Sequence, residues 1–303
     1  MLTRRAFLIG AGVSAPLAVA GYSIGIEPHL RPRLVSYNIS PPNWPPDQIL
    51  KIGVIADIHA CEPWMAESRI EAIVAAANDL EPDLFVLLGD FVEGLNGVWA
   101  SPIPMDRWAG PLADLAAPLG KYAILGNHDW WVDAPATRAA LEARQIPVME
   151  NDAELLDLRD GSSFWLGGLG DQLANKRTKT GVDDLPGLTS RIPDDGRPAI
   201  LLVHEPDIFP AVSDRFGVTI AGHTHGGQIR IPVLGRFPIA SDYGQRYAYG
   251  HVAEGNRQMI ISAGLGVSGM PIRFGVPPEI NLITIGSPEA LALHHSDNWA
   301  EPA

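Results

Sequence analysis

Residues 51–59 read KIGVIADIH, and the rest of the chain is best read outward from them. Lys51 to Ala56 is a short apolar run with polar or Gly neighbours, the pattern of a buried strand. It runs straight into Asp57-Ile58-His59. Four further runs repeat the arrangement. Leu84 to Leu88 leads into Gly89-Asp90, and Tyr122 to Leu125 into Gly126-Asn127-His128-Asp129. Ile200 to Val203 leads into His204, and Val218 to Ala221 into Gly222-His223-Thr224-His225. Helical stretches lie between them. Trp64 to Leu80 carries Ile70, Ile73, Val74 and Ala77 at helical spacing, and Pro135 to Arg144 starts with a first-turn proline. Strands alternating with helices predict an α/β sheet, which binds ligands beyond the carboxyl ends of its strands.

A single Asp or His at a strand end is ordinarily a turn former or a cap. Five in succession, several of them beside glycine, are not explained that way. Five of the nine histidines fall in these segments; His29, His251, His294 and His295 read as surface or tail residues. Asp, His and Asn without Cys suit a borderline divalent metal such as Mn, Fe or Zn. The set holds seven candidates: Asp57, His59, Asp90, Asn127, His204, His223 and His225. That is enough for two metals if one carboxylate bridges. Two metals about 3.5–4 Å apart polarise a phosphoryl group and hold a hydroxide for in-line attack. Gly89, Gly126 and Gly222 are expected to make the sharp turns that aim these side chains at one point.

The order Asp57-x-His59, Gly89-Asp90, Gly126-Asn127-His128-Asp129, His204, Gly222-His223-Thr224-His225 resembles the calcineurin-like metallophosphoesterase superfamily over roughly Lys51 to Gly286. Two segments, GHTHGGQIRIP at Gly222 to Pro232 and SAGLGVSGMPIRFGVPPEINLITI at Ser262 to Ile285, resemble its YaeI/YkuE-type phosphodiesterase branch, in which a twin-arginine leader is also found. The resemblance implies a four-layer αββα sandwich with two mixed β-sheets, with the strands of Ser262 to Gly286 in the second sheet. It implies that Asp57, His59 and His225 hold one metal, that Asp90 bridges, and that Asn127, His204 and His223 complete the other. Asn127 would also face the substrate. His128 would donate to a phosphoryl oxygen or protonate the leaving group. The Asp that often orients this His is replaced by Glu93, which leaves the orienting role between Glu93 and Asp129.

Composition bounds the alternatives. The chain has 303 residues, 46% hydrophobic and 19% charged, a globular balance. Its net charge of −13 argues against a stable nucleic-acid partner, which needs a basic footprint. A small phosphorylated substrate stays open, because a bound metal supplies positive charge locally. One cysteine excludes an internal disulfide and a Cys-rich metal site.

The N-terminus, MLTRRAFLIGAGVSAPLAVAGYSIGI, pairs Arg4 and Arg5 ahead of a moderately apolar run and resembles a twin-arginine export signal. Ala18-Val19-Ala20 is a candidate cleavage site. The other reading is a retained anchor, since the uncharged stretch Ala6 to Ile26 is long enough to span a bilayer. Both place the folded part outside the cytoplasm, and both make the export machinery and a membrane surface expected partners. The organisation expected is a signal or anchor over 1–26, an extended lead-in over 27–48 with one edge strand, a metallophosphoesterase domain over 49–286 and a tail over 287–303.

Other residues carry two readings each. Cys61 is a buried thiol or a ligand. Arg273 is a substrate-phosphate contact or a surface ion pair. The tryptophans of Asn96 to Trp108 and the pair Trp130-Trp131 form an apolar rim or pack in the core. Asp171 to Asp195 reads as a long loop over the site. The expected activity is hydrolysis of a small or lipid-linked phosphoester. The alternatives are a membrane-associated pyrophosphatase of a nucleotide-linked lipid precursor, resembling UDP-diacylglucosamine hydrolase, and a non-catalytic scaffold, which the complete ligand set and His128 disfavour.

Overall fold

The computed structural model describes residues 16–297 apart from Asn43, Glu93, Asn96 and Asp160. Arg4 and Arg5 lie outside the described residues, as does Glu93. In chain order the strands are β1 (Arg33–Ile39), β2 (Ile49–Ile55), β3 (Cys61–Glu62), β4 (Leu84–Leu87), β5 (Ser101–Pro102), β6 (Lys121–Ala123), β7 (Asp152–Asp157), β8 (Ser163–Gly168), β9 (Ala199–Val203), β10 (Val218–Ala221), β11 (Ile229–Ile231), β12 (Gly235–Phe237), β13 (Gly250–Glu254), β14 (Arg257–Ile261) and β15 (Glu279–Gly286). The five runs that end in ligand-type residues are β2, β4, β6, β9 and β10.

One sheet has the order β1-β15-β2-β4-β6 and the other β13-β14-β10-β9-β8-β7. Both are mixed. In the first, β2, β4 and β6 run parallel while β15 is antiparallel to β2. In the second, β8, β9, β10 and β14 run parallel, and β7 and β13 close the edges antiparallel. The inner faces meet in one apolar layer, in which Ile52, Val54, Leu84 and Val86 pack with Leu166, Ile200, Leu202 and Ile220. The outer face of the first sheet takes the helix Glu67–Asn78 through Ile70, Ile73, Val74 and Ala77, and the helix Ala134–Glu142 through Leu141. The outer face of the second takes the helix Leu185–Arg191 through Leu185 and Leu188. This is the four-layer αββα sandwich. Parallel strands buried on both faces explain the continuous apolar runs.

The expectation for Ser262 to Gly286 is corrected. β14 ends at Ile261, residues 262–278 form a crossing loop, and β15 lies in the first sheet between β1 and β2. The loop is held across both sheets, with Ser262 N–H on Ala221 O and Leu265 and Gly266 N–H on Ala56 O and Asp57 O. The crossing carries the chain over the strand ends where the polar residues gather. The segment Asp171 to Asp195 is also more structured than a plain loop, since it includes the helix Leu185–Arg191.

Candidate metal centre

The strand ends bend through the candidate ligands themselves. Asp57, His59, Asp90, His223 and His225 have φ of 52°, 47°, 53°, 68° and 51°. Left-handed backbone at a residue with a Cβ costs about 1–2 kcal/mol and gathers at functional sites. This changes the role expected of the glycines. Gly89, with φ 87°, is a turn glycine. Gly126 and Gly222 supply space instead: a Cβ would lie 2.4 Å from Asp90 Oδ1 at the first and 2.8 Å from Asp57 Oδ2 at the second.

These bends bring six of the seven nominated residues together in two groups that share one carboxylate, and Asn127 lies beside the second. Asp57, His59, Asp90 and His225 form one group, and Asp90, His204 and His223 the other, with ligand atoms in each within 4.8 Å of one another. Asp90 Oδ2 is 3.4 Å from His59 Nε2 and 3.3 Å from His204 Nε2. Asn127 Oδ1 and His223 Nδ1 lie 3.2 Å and 3.3 Å from His204 Nε2. His59 Nδ1 meets Val92 O at 3.2 Å and His204 Nδ1 meets Leu88 O at 2.6 Å. Those carbonyls draw the ring proton to Nδ1 and turn the Nε2 lone pair of each ring into the cluster, the usual orientation of a metal-binding imidazole.

The electrostatics agree. Burial, with His204 opposing and the Asp90 charge adding, pushes the Asp57 carboxyl up to about 7, and burial against the pull of Asp90 takes the His59 imidazole down to about 3. Burial also acts to raise Asp90, but His204, His128 and His59 outweigh it and hold that carboxyl well below its ordinary value. Burial acts to lower His204, but Asp90, Glu205 and Asp57 outweigh it and hold that imidazole well above its ordinary value. Buried carboxylates and imidazoles converging on two points, one ring already held cationic by the carboxylates, are the donor set that divalent cations compensate.

A model of the calcineurin-like phosphoesterase family matches residues 50–227. The chain belongs to that family. The phosphoesterase is 30% identical over 299 residues to the uncharacterised metallophosphoesterase YkuE of Bacillus subtilis, a match covering 94% of this chain and 98% of YkuE. It is 28% identical over 296 residues to the phosphodiesterase YaeI of Escherichia coli, covering 94% and 100%. It is a hydrolase acting on phosphoesters, of a family that uses divalent metals, and its own buried clusters can hold them.

His128 stands at the edge of the cluster, its ring 4.9 Å from that of His59 and 4.7 Å from that of Trp131. Its backbone N–H donates to Asp90 Oδ1 at 2.8 Å, and Nε2 lies 3.4 Å from Ser268 Oγ. It lines a cleft of about 280 Å³ with Asp90, Asn127, Trp131, His223 and His225. A larger groove of about 770 Å³ continues past Trp131 and His223 to Lys176 and Lys179.

Two expectations are corrected. Asp129 does not orient His128. Its carboxylate accepts from the backbone N–H groups of Asp90, Phe91, Val92 and Gly126 at 2.8–3.2 Å, so it clamps the loop that presents Asp90. Arg273 is neither a surface ion pair nor a substrate contact. It is fully buried and donates to the carbonyls of Ala263, Gly264, Gly266 and Val276. It stands behind His225, with Nη2 3.5 Å from Nδ1, and braces the crossing loop against the site.

The tryptophans divide. Trp108 is fully buried against Phe91 and Trp130 packs on the core, whereas Trp131 forms the wall between the two clefts. Cys61 is buried in a small cluster with Leu95, Ala100 and Val267. Sequence reasoning passed over Asp171 and Glu205. Both are buried beside His204, and Asp171 is close enough to Glu205 for a carboxyl–carboxylate hydrogen bond. The available signal was that each flanks a strand end, Asp171 after β8 and Glu205 directly after His204.

Proposed function

We propose that this chain is a two-metal phosphodiesterase or phosphatase, exported by a twin-arginine signal, that hydrolyses small or lipid-linked phosphoesters. The observation that carries the reading is the pair of buried ligand groups sharing Asp90, with His128 at their open edge. Asp57, His59 and His225 would hold one cation, His204, His223 and Asn127 the other, and Asp90 both. Bound there, Mn, Fe or Zn would draw charge from the phosphoryl oxygens and activate water. The chain's own part is positioning. Carbonyls fix the tautomers of His59 and His204, Asp129 holds the Asp90 loop, and Asp90 in turn holds the His128 backbone. His128 is placed to give a proton to the departing oxygen, a role for a half-buried imidazole facing the cleft.

The substrate reading rests on the groove. Two of the four lysines of an acidic chain, Lys176 and Lys179, line it, and Lys176 Nζ sits 4.6 Å from the centre of the Trp131 ring. A cation and an aromatic wall beside a phosphoryl site suit a substrate with an anionic or ring-bearing second half. The test is a panel on the metal-loaded protein: an aryl phosphodiester, an aryl phosphomonoester, lipid-linked phosphoesters and duplex DNA. Hydrolysis of the small diesters that stops with chelator is expected. Cleavage of duplex DNA with no activity on small phosphoesters would overturn the substrate class.

A further inference from the structure

The hairpin of β11 and β12 starts just past the ligand His225 and turns through Pro232-Val233-Leu234. Val233 is fully exposed and Leu234 is 65% exposed, with Ile231 and Phe237 also facing solvent. Residues 16–25 are helical and expose Leu17, Val19 and Tyr22, and Ile26 follows them at the surface. The segment Arg273–Val276 ties the two elements together. Phe274 pairs with the hairpin through Gln228 O and Arg230 N–H at 2.8 Å and 2.7 Å, and its ring meets Tyr22 edge-on at 6.4 Å. Arg273 N–H donates to Ser23 O at 3.0 Å, and the Glu27 carboxylate accepts from Gly275 and Val276 N–H. Both apolar surfaces are therefore part of one braced region.

Charge indicates what covers it. A groove of about 400 Å³ between the elements is lined by Tyr22, Arg33, Arg230, Pro232 and Phe274. Arg33 and Arg230 are exposed, while Glu27, the acid among them, is buried and engaged by backbone amides. Outward arginines beside an apolar tip run against the net charge of −13. An apolar tip flanked by arginine suits the headgroup–acyl boundary of an anionic membrane.

We propose that the β11–β12 hairpin, together with the helical residues 16–25, docks the protein on an anionic lipid surface, Val233 and Leu234 entering the boundary and Arg33 and Arg230 meeting headgroups. Docking bears on catalysis through the base of the hairpin. Gln228 and Pro238 line the metal cleft, and the Gln228 amide holds Ser268 through both its N–H and its carbonyl. The docked hairpin thus sets the cleft beside the bilayer, where a lipid-linked phosphoester is presented. That last step rests on the proposed hydrolase reading; the docking does not.

The test uses the full chain with Val233→Cys carrying an environment-sensitive fluorophore, and the same label at Leu155→Cys on edge strand β7 as control. Native Cys61 is buried, which confines labelling to the new thiol. With phosphatidylcholine–phosphatidylglycerol vesicles the Val233 label is expected to shift blue and be quenched by lipid-borne nitroxide, and the Leu155 label to stay unchanged. Arg33→Gln with Arg230→Gln should raise the vesicle concentration for half-shift by about thirtyfold. No response at Val233, an equal response at Leu155, or indifference to loss of both arginines would each overturn the proposal. So would a shift without vesicles that grows with protein concentration, which would mean that a second copy covers the tip. Hydrolysis of a soluble aryl phosphodiester is read in the same samples. Its absence would count against the hydrolase reading and leave the docking result standing.

Discussion

The Nε2 atoms of His59 and His225 lie 3.0 Å apart, with their rings stacked at 20°. The His59 proton is drawn to Val92 O, so its Nε2 presents a lone pair. An imidazolium at either ring is disfavoured, because burial holds His59 down to about 3 and His225 well below its ordinary range. A divalent cation satisfies both lone pairs. Removing it should therefore destabilise the fold as well as stop hydrolysis. A ligand at 100–1,000 times its Kd adds about 2.7–4.1 kcal/mol of stability. Calorimetry before and after chelation, with Mn, Fe or Zn added back, checks this; an unchanged Tm in protein shown to be metal-free would count against it.

Asp90 and His225 should differ as metal ligands. Asp90 Oδ2 is close to one imidazole of each group, 3.4 Å from His59 and 3.3 Å from His204. Asp90→Asn should lower occupancy of both sites, and His225→Ala chiefly of one. Elemental analysis of the purified variants decides, and full two-metal occupancy in Asp90→Asn would exclude the bridging role.

His128→Ala separates binding from chemistry. Its side chain lies outside both ligand groups and faces the cleft. Metal content should hold while kcat falls about 10²–10⁴-fold, the worth of general acid–base help. Loss of metal, or an unchanged kcat, would mean that His128 has another role.

The strands and the residues that cluster at their ends were legible because each is local. An apolar run ending in Asp or His marks β2, β4, β9 and β10 without any knowledge of their neighbours. What depends on the path of the chain was not. β15 reads as a strand, but its place between β1 and β2 follows from the crossing loop. Arg273 follows an ordinary loop stretch, and only the fold of residues 262–278 buries it among four carbonyls. Gly89, Gly126 and Gly222 beside the clustered residues suggested glycine turns, yet apart from Gly89 the left-handed φ falls on Asp57, His59, Asp90, His223 and His225, and Gly126 and Gly222 are needed as space. Asp171 and Glu205 meet only when β8 and β9 pair, a relationship that no single stretch of sequence contains.

Asp171 gives a pH prediction. Burial, and then the charge of Glu205, raise its carboxyl to about 10. A carboxyl raised on folding keeps its proton in the native state while the unfolded chain, near pH 4, has already lost it. The native state then binds more protons, so stability falls as pH rises from about 4 to about 10. Asp171→Asn keeps an acceptor for the Leu173 N–H, now at 2.8 Å, and supplies an amide N–H to Glu205 without titrating. Its Tm should match the wild type near pH 5 and exceed it at pH 8–9. Parallel Tm profiles for the two proteins would contradict the assignment.

Lys176 and Lys179 test the substrate groove. Both line it beside Trp131, away from the ligand groups, so neither should matter to metal content or to the chemical step on a minimal substrate. A phosphoester whose second half reaches the groove should gain from their charge, by about 0.5–1 kcal/mol for each exposed contact. Lys176→Ala with Lys179→Ala should then raise KM about five- to thirtyfold for substrates with an anionic second half. KM for a small aryl diester should move less than twofold, and kcat should hold for both. The charge origin adds a salt signature, since exposed pairs are screened over about 8 Å at physiological ionic strength. Wild-type KM for the anionic substrate should climb with salt, and the double variant should lack that slope. Equal KM changes for the small and the extended substrate would place the groove outside substrate binding.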